Sequence, residues 1–152
     1  MPLIDWNESF SVNIEEIDEQ HKRWIAMIND LHDSLLKDHT NDINHTAVKT
    51  MESMKEYVRD HFIYEEDYMR VINYPDFVGH QNIHCKFYEQ ISKYYDDLKA
   101  NKILLNTDIM KTLINWLKNH IIDEDSKYSI FAQEGDSSSH ISQFEAIRIR
   151  GG

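Results

Sequence analysis

Almost nothing in the first 134 residues of this chain interrupts a helix. Gly79 is the only glycine among them, and Pro2 and Pro75 are the only prolines in the 152 residues. Because sharp turns usually need such residues, this scarcity favours a few long helices over a fold of many strands. The length suits one domain with a single hydrophobic core.

Four segments repeat apolar residues at spacings of three and four, which is the period of an amphipathic helix. They run from Ile17 to Leu35, from Val48 to Met69, from Phe77 to Leu98 and from Ile109 to Tyr128. Helices of this length with short connections pack as antiparallel neighbours. The sequence therefore predicts an all-α fold, an up-down-up-down antiparallel four-helix bundle, with an irregular N-terminal arm over residues 1–16.

The end of the chain differs in composition from the rest. Residues 132–152 contain Gly135, three consecutive serines and a closing pair of glycines, and they do not continue the fourth helical pattern. We therefore expect the bundle to comprise residues 1–131. We interpret residues 132–152 as a C-terminal extension, either disordered or added for expression, and assign it no function.

The formal charge of −11 disfavours nucleic acid and anionic membranes as partners, because both require basic surfaces. The N-terminus lacks the basic start and apolar run of a signal peptide. No apolar run approaches the roughly 20 residues of a membrane helix. The single cysteine, Cys85, allows no intrachain disulfide, and we expect it to be packed inside the fold. These features predict a cytoplasmic protein.

Five of the nine histidines fall on the apolar stripes, where carboxylates accompany them. The five are His21, His61, His80, His84 and His120. A single core histidine is usually structural, but each buried polar group without a partner costs on the order of 1–3 kcal/mol. A domain has only about 5–15 kcal/mol of net stability to lose. A bound pair of metal ions would remove this cost.

The spacing within two of the helices selects particular donors. His61 and Glu65 lie four residues apart, as do His80 and His84. Four helical positions leave side chains about 40° apart and one turn along, so both can reach one ion. Glu66 lies one position further round, and we expect it to be a solvated neighbour.

The last helix offers two candidate carboxylates. Glu124 shares a face with His120, whereas Asp125 lies about 140° round an ideal helix from that histidine. Geometry alone favours Glu124 as the donor.

The residue types also limit the metal. Five imidazoles and two carboxylates contain too much nitrogen for calcium or magnesium. Seven ligands exceed the four of tetrahedral zinc. The set suits two first-row ions bridged by carboxylates, with one coordination position open. No histidine follows a glutamate by three residues, which disfavours the ferritin-like di-iron proteins.

The chain resembles the hemerythrins, and more closely the single-domain bacterial kind, over about residues 1–131. The resemblance rests on an ordered set of runs, to which Trp6 and Tyr128 also conform. The runs are Gln20-His21, His61-Phe62-x-x-Glu65-Glu66, His80-x-x-x-His84 and Trp116-Leu117-x-x-His120-Ile121-x-x-x-Asp125.

The resemblance implies a cofactor of two non-haem irons (Fe2+/Fe3+) with an oxo or hydroxo bridge. One iron would be held by His80, His84 and His120, the other by His21 and His61, and Glu65 and Asp125 would bridge both. The iron held by two histidines would keep a vacant position for dioxygen. Because the resemblance replaces Glu124 by Asp125, the fourth helix must depart from ideal geometry or approach at a shifted angle.

The function implied is reversible dioxygen binding, for transport, storage or delivery, rather than catalysis. The apolar wall of the oxygen pocket would be formed by Trp24, Phe62, Trp116 and Leu117. Trp24 is bulkier than the aliphatic residue more often found there, and we expect it to narrow the pocket. A di-iron enzyme or a sensor handling dioxygen, peroxide or nitric oxide stays open as the alternative.

Overall fold

The computed structural model describes residues 3–37 and 43–135, and all regular structure in these ranges is helical. The first three long helices are α1 (Glu15–Lys37), α2 (Ile43–Val71) and α3 (Phe77–Lys99), and a short 3₁₀ turn (Glu8–Phe10) precedes them. The fourth helix of the bundle consists of α4 (Thr107–Asn119), a π-helical turn (His120–Asp125) and α5 (Ser126–Glu134). α1 packs against α2 and α4, and α2 packs against α3. The predicted four-helix bundle is confirmed.

Local chemistry defines where the third and fourth helices begin. The side chain of Asn106 accepts a hydrogen bond from the Ile109 amide at 3.0 Å and so caps α4. Before α3, Asn73 adopts a left-handed φ of 57°, which asparagine tolerates better than most residues. Gly79 lies in the first turn of α3, where a Cβ would collide with the carboxylate of Asp76.

The N-terminal arm lies across the bundle and is fixed by specific hydrogen bonds. The side-chain amide of Asn29 accepts from the Ile4 amide at 3.1 Å and donates to the Ile4 carbonyl at 2.8 Å. Further along, the Val12 amide donates to Asp18 at 2.8 Å, and the Ser129 hydroxyl donates to the Val12 carbonyl at 2.6 Å. The arm therefore ties α1 to α5, as an irregular segment without a strand in its described part.

Two apolar clusters fill the interior. The larger includes Trp24, Phe62 and Phe87, and the smaller includes Tyr68 and Tyr128. The candidate site contacts both clusters, because the rings of His61 and Trp24 lie 5.8 Å apart and those of His80 and Tyr128 lie 5.7 Å apart. The site is therefore closed off by apolar side chains along the bundle axis.

The C-terminal end of the bundle reaches slightly past the predicted boundary. Helix α5 continues to Glu134, and Ala132 packs into the smaller cluster. Residues 136–152 lie outside the described residues, so the division of the chain at residue 131 stays a prediction. Within the described ranges, no helix has both the length and the apolar character required to cross a membrane.

Candidate metal centre

All seven residues of the predicted site are buried, and each exposes 4% or less of its surface. α1 supplies one of them, α2 and α3 supply two each, and the π-helical turn supplies two. They are His21, His61, Glu65, His80, His84, His120 and Asp125. Each helix places its donors on the same stripe as its buried apolar residues, which is why the polar groups meet on the bundle axis.

The π-helical turn explains how Asp125 reaches this centre. Its hydrogen bonds close five residues along rather than four, so residues five apart share one face. Asp125 Oδ1 accordingly lies 3.0 Å from His120 Nε2. Glu124 instead lies beside Lys127, with 3.4 Å between the charged atoms. The departure from ideal helix geometry that Asp125 would need is therefore present, and the geometric preference for Glu124 is wrong.

One group of donors surrounds the Oδ1 oxygen of Asp125. His80 Nε2 lies 3.1 Å from Asp125 Oδ1, close to the equivalent distance for His120. The Nε2 atoms of His84 and His120 are themselves 3.1 Å apart. Glu65 completes this group, in which five donor atoms all lie within 4.8 Å of one another.

A second, smaller group lies on the other side of the two carboxylates. It consists of His21, His61 and Glu65. His61 Nε2 contacts Glu65 Oε1, and His21 Nε2 lies 3.6 Å from the same oxygen. His21 Nε2 also lies 3.2 Å from Asp125 Oδ2. Because the two oxygens of Asp125 face different groups, this carboxylate lies between them, as does Glu65.

The electrostatics of the site depend on these close pairs. Burial alone would lower the pKa of His21, but the adjacent carboxylates of Asp125 and Glu65 raise that pKa to about 9. Burial alone would raise the pKa of Asp125, but His120 and the other two histidines in contact hold it well below its ordinary range. Burial lowers the pKa of His61. Burial and the nearby Asp125 would raise the pKa of Glu65, but His61 and His21 lower it overall. Both carboxylates are therefore anionic, which is the form that binds metal ions.

The donor set fits a pair of metal ions. Ligands about 2.1 Å from one ion and at right angles lie about 3.0 Å apart, close to the separations around Asp125 Oδ1. Several buried donor atoms have no hydrogen-bond partner among the described residues; they include both nitrogens of His21, both oxygens of Glu65 and both oxygens of Asp125. Two imidazole nitrogens 3.1 Å apart also repel unless a cation or proton lies between them. A bound metal pair would satisfy the carboxylate oxygens and the Nε2 atoms that face them.

Two polar residues behind the histidines were not predicted as part of the site. Gln20 Oε1 lies 2.6 Å from His61 Nδ1, and Glu66 Oε2 lies 3.0 Å from His84 Nδ1. Glu66 exposes 14% of its side chain and also accepts from Gln81. The expectation that Glu66 is a solvated neighbour is therefore wrong. Glu66 points away from the other donors of α2, as predicted, but His84 of α3 contacts it.

The predicted wall of the oxygen pocket surrounds the histidine rings. Trp24, Phe62 and Leu117 are buried, whereas Trp116 is partly buried. The Phe62 ring stacks on His84 with 3.8 Å between centroids, and the Trp116 ring stacks on His120 at 4.3 Å. These contacts fix the orientation of two imidazoles. That the same side chains enclose dioxygen stays a prediction.

Cys85 is not packed inside the fold as expected. It follows His84 directly, so the helix turns it away from the bundle axis, and its side chain is exposed. The residue lines a surface groove that also contains Glu66 and Glu89.

The fold and site together define an all-α bundle that carries a buried dinuclear-type set of imidazole and carboxylate donors. A family model described as the Hemerythrin HHE cation binding domain matches residues 12–129. This chain belongs to the hemerythrin family, as the sequence resemblance predicted.

Similar proteins agree with this assignment. A bacteriohemerythrin of Stenotrophomonas maltophilia is 28% identical, over 100% of this chain and 93% of its own length. A myohemerythrin of Theromyzon tessulatum is 33% identical, over 81% of this chain and 88% of its own length. The crystal structure of a wild-type hemerythrin superposes with a TM-score of 0.77 at 29% identity, covering 84% of this chain and 95% of that one. The resemblance to the bacterial kind is thus supported over nearly the whole chain.

Proposed function

We propose that this protein binds dioxygen reversibly at a non-haem di-iron centre, as an oxygen carrier or store. Membership of the hemerythrin family and the buried cluster of histidines and carboxylates support a di-iron oxygen-binding protein. In this proposal His80, His84 and His120 hold one iron, and His21 and His61 hold the other. Glu65 and Asp125 bridge the two.

The main support for the proposal is that the two donor groups contain different numbers of histidines. Three imidazoles belong to the group around Asp125 Oδ1, and only two belong to the other group. Glu65 belongs to both groups, and Asp125 also reaches the second group, because its Oδ2 lies 3.2 Å from His21 Nε2. Six-coordinate ions held in this way would differ by one ligand, which leaves an open position beside His21 and His61. A diatomic molecule is small enough to use it.

The surroundings of the open position suit a gas better than a polar substrate. Trp24 packs with its ring centroid 5.8 Å from that of His61, and Phe62 lies 5.9 Å from Trp24. Such a wall would exclude water, which promotes irreversible oxidation of the irons, and charged reductants, which would reduce the bound oxygen; either would end reversible binding. The irons would supply the electrons and the binding position, and the chain's own residues would orient the ligands and keep the pocket dry.

The assignment of the bridging carboxylate has a direct test. Asp125→Ala removes oxygens that lie 3.0–3.2 Å from three histidine nitrogens, so we expect this variant to lose most of its iron. Glu124→Ala is the matched control, because it removes the neighbouring carboxylate, which pairs with Lys127 outside the site. Equal iron loss in both variants, or retention in both, would contradict the proposed ligand set.

Carriage and catalysis can be distinguished by kinetics. Fully reduced protein is mixed with dioxygen in a stopped-flow spectrometer, and the charge-transfer absorption of the oxygenated form is followed. A band that persists and then bleaches when oxygen is removed supports reversible binding. A band that decays within the experiment, with consumption of peroxide or nitric oxide on later addition, would instead support a di-iron enzyme.

A further inference from the structure

The two groups of histidines are backed by side chains of different charge. Behind the group of three, Glu66 Oε2 accepts from His84 Nδ1 at 3.0 Å. Behind the group of two, the neutral amide of Gln20 presents Oε1 to His61 Nδ1 at 2.6 Å. The Nδ1 atoms of His21 and His120 have no hydrogen-bond partner among the described residues. A carboxylate therefore supports one side of the centre and an amide the other.

Both contacts are held in place by further hydrogen bonds. Gln81 donates to the second oxygen of Glu66 at 2.9 Å, which leaves Oε2 directed at His84. The side-chain amide of Gln20 donates from Nε2 to Glu16 Oε1 at 3.4 Å, which leaves its own Oε1 directed at His61. The backbone carbonyl of Gln20 accepts from the Tyr57 hydroxyl at 3.0 Å. Neither partner is therefore a freely rotating surface group.

The charge difference has a known chemical consequence. An imidazole that donates Nδ1–H to a carboxylate becomes a stronger donor through Nε2 than one that donates to a neutral amide. Stronger donation favours the more highly charged ferric ion over the ferrous ion. Glu66 is largely shielded from water, with 14% of its side chain exposed, so solvent screens its charge only in part.

We propose that Glu66 and Gln20 are positioning residues that make the two irons unequal in redox character. The carboxylate behind His84 stabilises the ferric state of the iron held by three histidines. The amide behind His61 leaves the other iron, the one with the open position, easier to keep ferrous. This inference rests on the proposed di-iron function and extends it to residues outside the ligand set.

The test uses protein loaded with ⁵⁷Fe and titrated reductively. Mössbauer spectra follow each iron separately, and the difference between their two ferric/ferrous equilibria is measured. Glu66→Gln keeps the shape of the side chain but removes its charge. We expect this variant to reduce the ratio between the two irons' ferric/ferrous equilibrium constants by about tenfold or more. Such a change corresponds to about 59 mV for a one-electron couple. Gln20→Glu places a carboxylate behind His61, and we expect it to narrow the difference as well.

Glu89→Gln is the matched control. Glu89 lines the same surface groove as Glu66 and His84, but it is exposed. It removes the same charge from the same face, and we expect no change in the difference between the irons.

A second readout follows metal retention. On exposure to a chelator, we expect Glu66→Gln to release the iron held by three histidines about 10- to 100-fold faster than the wild type does. Release of the other iron should be unchanged. A general loss of folding would accelerate both phases together.

The outcomes separate this inference from the function on which it rests. If Glu66→Gln and Gln20→Glu both bind two irons and keep the wild-type difference, the inference is wrong and the di-iron function stands. If Glu66→Gln does not fold, Gln20→Glu still decides, because an unchanged difference in that variant refutes the role of outer-partner charge. A wild-type chain that binds no iron refutes the proposed function, and the inference with it.

Discussion

Removal of one residue from the π-helical turn is predicted to leave the fold and its site intact. Deletion of Asp123, which is exposed, would place Asp125 four residues after His120 instead of five. Four residues in an α-helix bring side chains to within about 40° of each other, nearly the alignment that the π-helical turn provides over five residues. The shortened segment can therefore become ordinary α-helix without turning α5 away from the core.

Helix geometry gives the distance that the Asp125 carboxylate would move if the segment had no π-helical turn. If the full-length segment were α-helical, Asp125 would turn by about 100° relative to its observed position. At a side-chain radius of about 5–6 Å this rotation moves the carboxylate by about 8–9 Å. The observed separation between Asp125 Oδ1 and His120 Nε2 is 3.0 Å, so the carboxylate would leave the centre entirely.

Deletion of Lys118 is the matched control. Lys118 is also exposed and lies in the regular part of the same helix, α4. Its removal turns the preceding and following parts of the helix by about 100° relative to each other. The buried side chains between the deletion and the far end of the turn, such as those of His120 and Ile121, would leave their places even if the turn became α-helical, at about 2–5 kcal/mol for Ile121.

The assay is urea unfolding of the metal-free proteins followed by circular dichroism, with iron content measured after reconstitution. We expect deletion of Asp123 to keep a cooperative transition near that of the wild type and a full complement of iron. Deletion of Lys118 should lower the free energy of unfolding by about 2–5 kcal/mol or prevent folding, and it should lose iron because His120 is turned away from the centre. Equal damage from both deletions would refute the account of the π-helical turn.

Three further predictions concern the interior and the metal. Trp24→Ile should open the pocket, so that dioxygen leaves faster and the iron autoxidises faster; unchanged rates in flash-photolysis and absorbance measurements would show that Trp24 does not narrow the pocket. Leu117→Ala should lower the free energy of unfolding by about 2–5 kcal/mol, as measured in urea, because the residue is fully buried. Removal of iron should lower the melting temperature by more than about 10 °C, since each ion bound at 1,000 times its Kd contributes about 4 kcal/mol; calorimetry that shows the same transition with and without iron would contradict this.

The fold was predictable because its signals are local. Apolar spacing identifies four helices, and turn-forming residues such as Asn73 and Pro75 lie before α3. The pairing of His61 with Glu65 likewise depends only on the four-residue repeat of one helix. Such features need no knowledge of how the helices pack.

The parts that sequence reasoning missed depend on tertiary contact or on irregular backbone. Nothing in the spacing of His120 and Asp125 announces a π-helical turn, and the ideal period pointed to Glu124. The role of Glu66 depends on His84, which lies 18 residues away on the next helix. A residue that points away from the metal ligands of its own helix can still contact a ligand on a neighbouring helix. For Glu66 this contact depends on how α2 packs against α3.

We propose that the seven buried histidines and carboxylates hold two irons that bind dioxygen reversibly. The most direct measurement is the iron content of the purified, reconstituted protein, taken together with its visible spectrum before and after removal of oxygen. We expect two irons per chain and a charge-transfer band that appears with dioxygen and disappears without it. A fully folded chain that binds no iron, or a spectrum that does not respond to oxygen, would contradict it.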